Sequence, residues 1–125
     1  MQVVSIVIKR IYEPAEREDG RRVLVDRLWP RGVSRQAALL DEWLKDVAPS
    51  PALRTWFGHK SENFEEFSVL YRRELDADPQ KQSAVGRLIG FAKSGKLTLL
   101  YGAKSDRINH AAVLKRYLEE RLGNP

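Results

Sequence analysis

Val23-Leu24-Val25-Asp26-Arg27-Leu28-Trp29-Pro30-Arg31-Gly32 is the stretch on which the reading of this chain turns. Three branched apolar residues in a row, without alternation, suit a strand covered on both faces. The run stops abruptly in charge, indole, proline and glycine, which is turn chemistry. Leu97-Thr98-Leu99-Leu100-Tyr101 has the same character and also ends in a turn, Gly102 to Asp106. Upstream, Val3 to Ile8 is rich in β-branched residues and reads as a further strand. Glu13 to Arg22, with Pro14, Asp19 and Gly20 among many charges, reads as an exposed loop.

Helical signals fill the rest. Ser34 suits the cap of a helix carrying Leu39, Leu40, Trp43, Leu44 and Val47 on one face. Ser50-Pro51 starts a short helix with Leu53, Trp56 and Phe57, stopped by Gly58. Ser61 opens the next, with Phe64, Phe67, Leu70, Tyr71 and Leu75 in register. Asp78-Pro79 starts another, with Val85, Leu88, Ile89 and Ala92 facing inward, and Gly95 closes it. Gly86 and Gly90 within that helix suggest close packing against a neighbour. A last helix carries Val113, Leu114, Tyr117, Leu118 and Leu122, and Gly123 ends it.

Strands separated by helices imply parallel pairing. The expectation is an α/β fold: one small, mainly parallel sheet of about three strands, flanked by five or so helices. A single domain spans residues 1–125, and that length buries roughly two-thirds of the unfolded chain's surface around one core. Only about a dozen loop residues join the first two strands, so a hairpin stays open there as the alternative to parallel pairing.

The chain has no cysteine, which removes disulfides, thiolate metal sites and a thiol nucleophile together. Met1 to Lys9 shows no basic leader, no long apolar region and no cleavage site, and no apolar run nears the ~20 residues of a membrane span. A cytoplasmic protein without a membrane partner is expected. Lysine and arginine (22) exceed aspartate and glutamate (17) by five, which favours anionic partners. An anionic small molecule is preferred over nucleic acid, because the basic residues are scattered rather than blocked. A homodimer stays open.

In an open parallel sheet, ligands bind beyond the carboxyl ends of the strands. One end delivers Asp26, Arg27, Trp29 and Arg31; the other delivers Tyr101, Lys104, Asp106, Asn109 and His110. The fold therefore predicts that two groups about 75 residues apart meet in space. Arg27 and Arg31 present planar donor forks to an anion, with Trp29 as an apolar wall. The competing reading pairs Arg27 with Asp26 or Asp41 and puts Trp29 in the core. Ser105 to Asn109 begin a helix, whose free amides favour an anion beside Lys104. His110 and Asp26 are the candidate acid and base if catalysis occurs. Tyr101 and Asn109 complete the ligand-binding set. His59, just after the Gly58 turn, is expected on the surface.

Other schemes fail. The chain has no phosphate-binding loop and no dinucleotide glycine fingerprint, so no cofactor is expected. Two isolated histidines give no zinc spacing, so no metal is expected. Ser34 and Ser105 lack a triad context. Glu65/Glu66 and Glu119/Glu120 are adjacent pairs that read as solvated helix faces.

Five stretches carry a resemblance: Arg22 to Gly32, Asp41 to Ser50, Leu53 to Phe57, Leu97 to Tyr101 and Asn109 to Ala111. Together they resemble the YeaO-like branch of the domain of unknown function 488 family, over nearly the whole chain. The resemblance brings no established activity with it. It implies that longer relatives carry a cysteine where this chain has Tyr101, and Cys-His-Arg where it has Asn109-His110-Ala111. This chain keeps only the histidine of that set, so thiol chemistry does not carry over; a pocket does. Some family members bear a methyltransferase label, for which this chain lacks a glycine-rich nucleoside-binding turn.

Overall fold

In the computed structural model, which describes residues 4–123, the centre is an all-parallel sheet. Among the described residues it has four strands: β1 Ile6–Arg10, β2 Arg21–Leu24, β3 Glu42–Trp43 and β4 Leu97–Tyr101. Their order is β1-β4-β2-β3. β4 lies in the middle, with Ile6 opposite Leu97 on one side and Arg21 opposite Leu97 on the other. The helices are α1 Arg35–Ala38, α2 Pro51–Phe57, α3 Phe64–Ala77, α4 Pro79–Ser94 and α5 His110–Arg121. Short 3-10 turns occupy Arg17–Asp19, Lys45–Val47 and Ser61–Asn63.

The sheet has two unlike faces, because side chains alternate along a strand. Val23, Val25, Leu97, Leu99 and Tyr101 join the main core with Phe67, Tyr71, Leu88 and Leu114 from α3, α4 and α5. Leu24 and Leu100 face the other way, into a smaller cluster with Ile11 and Ala38, flanked by Trp29 and Trp43. That second face is also ionic. Asp19 is 6% exposed and Arg22 5% exposed, so the expectation of an exposed loop through Arg22 is corrected at both residues. Asp19 accepts from Arg22 at 2.6 Å and from Lys9 at 3.0 Å. Arg22 reaches on to the carbonyls of Ala38 and Leu39.

The same guanidinium explains the largest departure from the sequence reading. The helix expected from Ser34 through Val47 lasts only to Ala38, although Ser34 caps it as foreseen. Arg22 takes its last carbonyls, and Leu39 turns left-handed at φ 46°, 63% exposed. Glu42 and Trp43 then pair with Val23 and Leu24 as a fourth strand. The first two strands are parallel in direction but do not touch, because β4 is inserted between them; the hairpin alternative is thereby corrected. The first strand runs to Arg10 rather than Ile8, and the expectation for Val3 lies outside the described residues. Gly86 and Gly90 sit on the outer face of α4, where an added methyl would meet nothing within 4 Å. The close packing expected there is absent at both.

The caps at Ser50 and Asp78 are as expected from sequence, whereas Ser61 opens a 3-10 turn and α3 begins only at Phe64, without a side-chain cap. Ser50 accepts from Leu53 N–H, with Pro51 in the first turn, and Glu74 clasps Ser50 from α3. Asp78 caps α4 by accepting from Gln80 N–H at 2.9 Å. α5, however, begins at His110 rather than at Ser105, with Asn109 as its cap.

Candidate functional site

The carboxyl ends of β2 and β4 do meet. Gly102 N–H, just past β4, donates to Asp26 Oδ2 at 2.8 Å, just past β2. A side chain at position 102 would begin 3.0 Å from that same oxygen, so glycine leaves the carboxylate its place. Trp43 fixes the backbone alongside, its Nε1 donating to Asp26 O at 2.7 Å. His110, in the first turn of α5, brings Nε2 to 3.0 Å from Val25 O and 3.4 Å from Asp26 Oδ1. A carbonyl only accepts, so Nε2 carries the proton and Nδ1 is the ring's acceptor. Oδ1 of Asp26 is left buried and without a hydrogen bond, close enough to His110 for Coulomb attraction alone.

Beyond this pair opens a cavity of about 400 Å³. Phe57, Phe67 and Pro49 give it buried apolar walls, and Arg27, Leu28, Tyr12 and His59 form an exposed rim. Arg54, half-buried, also lines it. Among the described residues no carboxylate lies within ion-pair distance of the Arg27 or Arg54 side chain, so the Arg27 pairing with Asp26 or Asp41 does not form. Asp41 accepts the Arg22 backbone N–H instead. His59 adopts a left-handed φ of 58°, directly after Gly58 at 55°.

Burial pushes the Asp26 carboxyl up, against the opposing pull of His110, the Gly102 amide, Arg54 and His59. Burial likewise pushes the His110 imidazole down, against Asp26 and Val25 O. The two shifts have a measurable consequence. Asp26→Asn removes a carboxylate that favours the imidazolium, so the His110 titration midpoint falls further below its ordinary ~6.5. Imidazole ¹⁵N shifts against pH read this directly; an unchanged midpoint would show that the pair is not coupled. Stability follows the same logic. A carboxyl raised on folding stabilises fully below its unfolded value near 4, and that contribution is lost as pH rises through the folded value. Asp26→Asn therefore gains on the wild type as pH rises from about 4.

The sequence-derived set divides. Asp26, Arg27, Trp29 and His110 line the cavity. Trp29 is half-buried: Nε1 donates to Val33 O at 2.7 Å, Trp43 packs edge-on at 5.4 Å, and Arg35 lies over the ring. Arg31 is exposed outside the cavity, its carbonyl accepting from Tyr12 Oη. Lys104 lies in a neighbouring recess that shares His59, Gly102 and Ala103. Tyr101 points into the main core, 1% exposed, and burial raises its phenol above the ordinary value. Asn109 is equally buried and serves as a cap, accepting from Ala112 N–H and donating to Ser105 O. Asp106 is exposed. Arg54, Tyr12 and Leu28 are among the lining residues that sequence reasoning missed, as are the apolar walls Pro49, Phe57 and Phe67. Arg54 sits between Leu53 and Trp56 on a short helix, and nothing in its spacing singled it out.

Among the described residues no cluster of three or more His, Cys, Asp or Glu is placed to hold a metal ion. Among them, too, no helix is long and apolar enough to cross a membrane.

These features define a small α/β protein, all-parallel among the described residues, with a largely buried carboxylate–imidazole pair beside a cavity that Arg27 and Arg54 line. The chain belongs to the domain of unknown function 488 family: the family model described as "Inactive DUF488-N3 subclade" matches residues 5–124. It is 44% identical to the uncharacterized protein YeaO of Escherichia coli K12, over 92% of this chain and 97% of that one. It is 37% identical to the uncharacterized protein Rv3073c of Mycobacterium tuberculosis H37Rv, over 91% and 93% respectively. No solved structure matches the chain.

Proposed function

We propose that this protein binds a small anionic molecule in the cavity beyond the carboxyl ends of β2 and β4 and does not turn it over. The observation that carries the reading is the convergence of Arg27, Arg54 and His59 on one apolar-walled recess. Small-ligand sites are concave, largely apolar and supplied with a few placed polar groups, and a volume near 400 Å³ lies in their usual range of ~300–1,000 Å³. Guanidinium forks recognise carboxylate or phosphate. The Nδ1 acceptor of His110 suits a hydroxyl or amide on the same ligand. The subclade's description as inactive supports binding without reaction. So does the placement of Tyr101 and Asn109, which the family resemblance sets against cysteines of longer relatives: one is core, the other a cap.

A thermal-shift and calorimetry panel of phosphate, sulfate, nucleotides, sugar phosphates and short RNA tests this. A ligand at a hundred times its Kd stabilises by about 2.7 kcal/mol. Arg54→Gln is expected to weaken the best small anion about tenfold, roughly 1.4 kcal/mol. Arg31→Ala, outside the cavity, is expected to leave it unchanged. Salt-sensitive stabilisation by RNA alone, with no small anion active, would replace this reading with a nucleic-acid module.

A further inference from the structure

A second feature lies between α3 and α5, and it shares no lining residue with the cavity beside Asp26 and His110. Phe64, Ser68 and Arg72 fall at i, i+4 and i+8 along α3, and Ala112 and Arg116 at i and i+4 along α5. Such spacings put each set on one helix face. The small side chains Ser68 and Ala112 leave a groove of about 350 Å³, and Arg107 of the preceding loop closes it. Three arginines line this groove and no acid does. Glu120 holds Arg72 from the rim through two hydrogen bonds, at 2.7 and 3.3 Å. That contact orients Arg72 and leaves Arg107 and Arg116 without an ion pair among the described residues. The Arg107 loop is itself pinned: Ser105 Oγ accepts from Arg107 N–H and Ile108 N–H, and Asn109 Nδ2 donates to Ser105 O.

Like charges gathered around one trough repel, and a single rim carboxylate does not neutralise three guanidinium groups. We propose that the α3–α5 groove is a second binding site, taking a phosphate group between Arg107 and Arg116 with Arg72 at its edge. Phosphate supplies the charge and the several acceptor oxygens that three donor forks call for; a lone carboxylate offers only two oxygens. The group can belong to a free polyphosphate or to the backbone of a single-stranded nucleic acid, and both present the same chemistry to the groove. The site stands apart from the cavity of the proposed function and does not rest on it.

Two titrations followed by amide NMR test the proposal, one with pyrophosphate and one with a short single-stranded oligonucleotide. Both are read against wild type, Arg107→Gln, Arg116→Gln and Arg54→Gln, each with retained amide dispersion. The expected result is shifts at Ser68, Arg72 and residues 107 to 116, and an affinity at least tenfold lower in Arg107→Gln and Arg116→Gln. Arg54→Gln should bind as wild type does. Response to both probes assigns the site to phosphate in general, and response to the oligonucleotide alone assigns it to a polymer backbone. Shifts confined to Asp26, Arg27, Arg54 and Gly102, or equal affinity in all variants, would overturn it.

Discussion

Arg22→Ala is expected to destabilise the protein by about 3–5 kcal/mol, the range for removing one partner of a buried ion pair. The side chain has three partners on the second face of the sheet, one carboxylate and two carbonyls. Nη1 donates to Asp19 at 2.6 Å, Nη2 to Ala38 O at 2.7 Å, and Nε to the carbonyls of Ala38 and Leu39 at 3.2 Å. Alanine leaves those carbonyls under-satisfied and leaves Asp19 with Lys9 as its only cationic partner among the described residues. Burial would raise the Asp19 carboxyl, but the Glu16 amide, Lys9 and Arg22 outweigh it and hold the group below the usual carboxylate range. A carboxyl lowered on folding stabilises above its unfolded value near 4, and that contribution is lost as pH falls through the folded value. The wild type should therefore lose stability on acidification, and Arg22→Ala should lose less. The Tm falls by roughly 10–20 °C at neutral pH for a chain of this size. A drop of under ~1 kcal/mol in chemical denaturation would mean that Arg22 is solvated rather than locked.

The same residue marks where sequence ceases to speak. Val23 to Val25 announces itself as a doubly covered strand and Leu97 to Tyr101 as a strand, and both faces of the sheet are buried under chain. Caps at Ser50 and Asp78 are local events, decided by one side chain and one or two amides. The fate of residues 39 to 47 is not local. Their apolar spacing fits a helix, and only the arrival of Arg22 from another strand ends it after one turn. A two-residue strand such as Glu42–Trp43 carries no periodicity of its own. It exists because Val23 and Leu24 offer it an edge.

The site divides in the same way. The rule that ligands gather at strand carboxyl ends was enough to bring Asp26 and His110 together from 84 positions apart. Side-chain direction was not readable from it. Tyr101 follows strand alternation into the core, with Leu97 and Leu99, while the residue after it turns toward Asp26. Arg54 comes from a helix that belongs to neither strand end, and only packing of α2 against α3 through Phe57 and Phe67 swings it to the cavity.

Gly20→Ala is expected to be as damaging as the loss of Arg22, for a steric reason. The chain leaves β1 at the carboxyl edge and must return to the opposite edge to start β2 parallel to it. It does so in ten residues, 11 to 20, laid across β4: Ile11 N–H bonds Tyr101 O at one end, and Thr98 Oγ1 donates to Asp19 O near the other. Gly20 sits where this crossing squeezes past Lys96, at φ 66°. An alanine methyl would come within 2.5 Å of Lys96 O and 2.9 Å of Lys96 Cβ. The carbonyl cannot withdraw freely, because it accepts Arg21 N–H at 3.0 Å and so forms the first rung between β2 and β4. Left-handed strain of about 1–3 kcal/mol and overpacking of about 1–3 kcal/mol act together here. Gly32→Ala separates the two contributions. Gly32 has φ 80° but nothing within 4 Å of an added methyl, so it carries the strain alone. Chemical denaturation of both variants should find Gly20→Ala the worse by about 1–3 kcal/mol. Equal losses would mean that the crossing loop shifts away from β4 without breaking the rung, and that the central place of β4 does not depend on a glycine at the crossing.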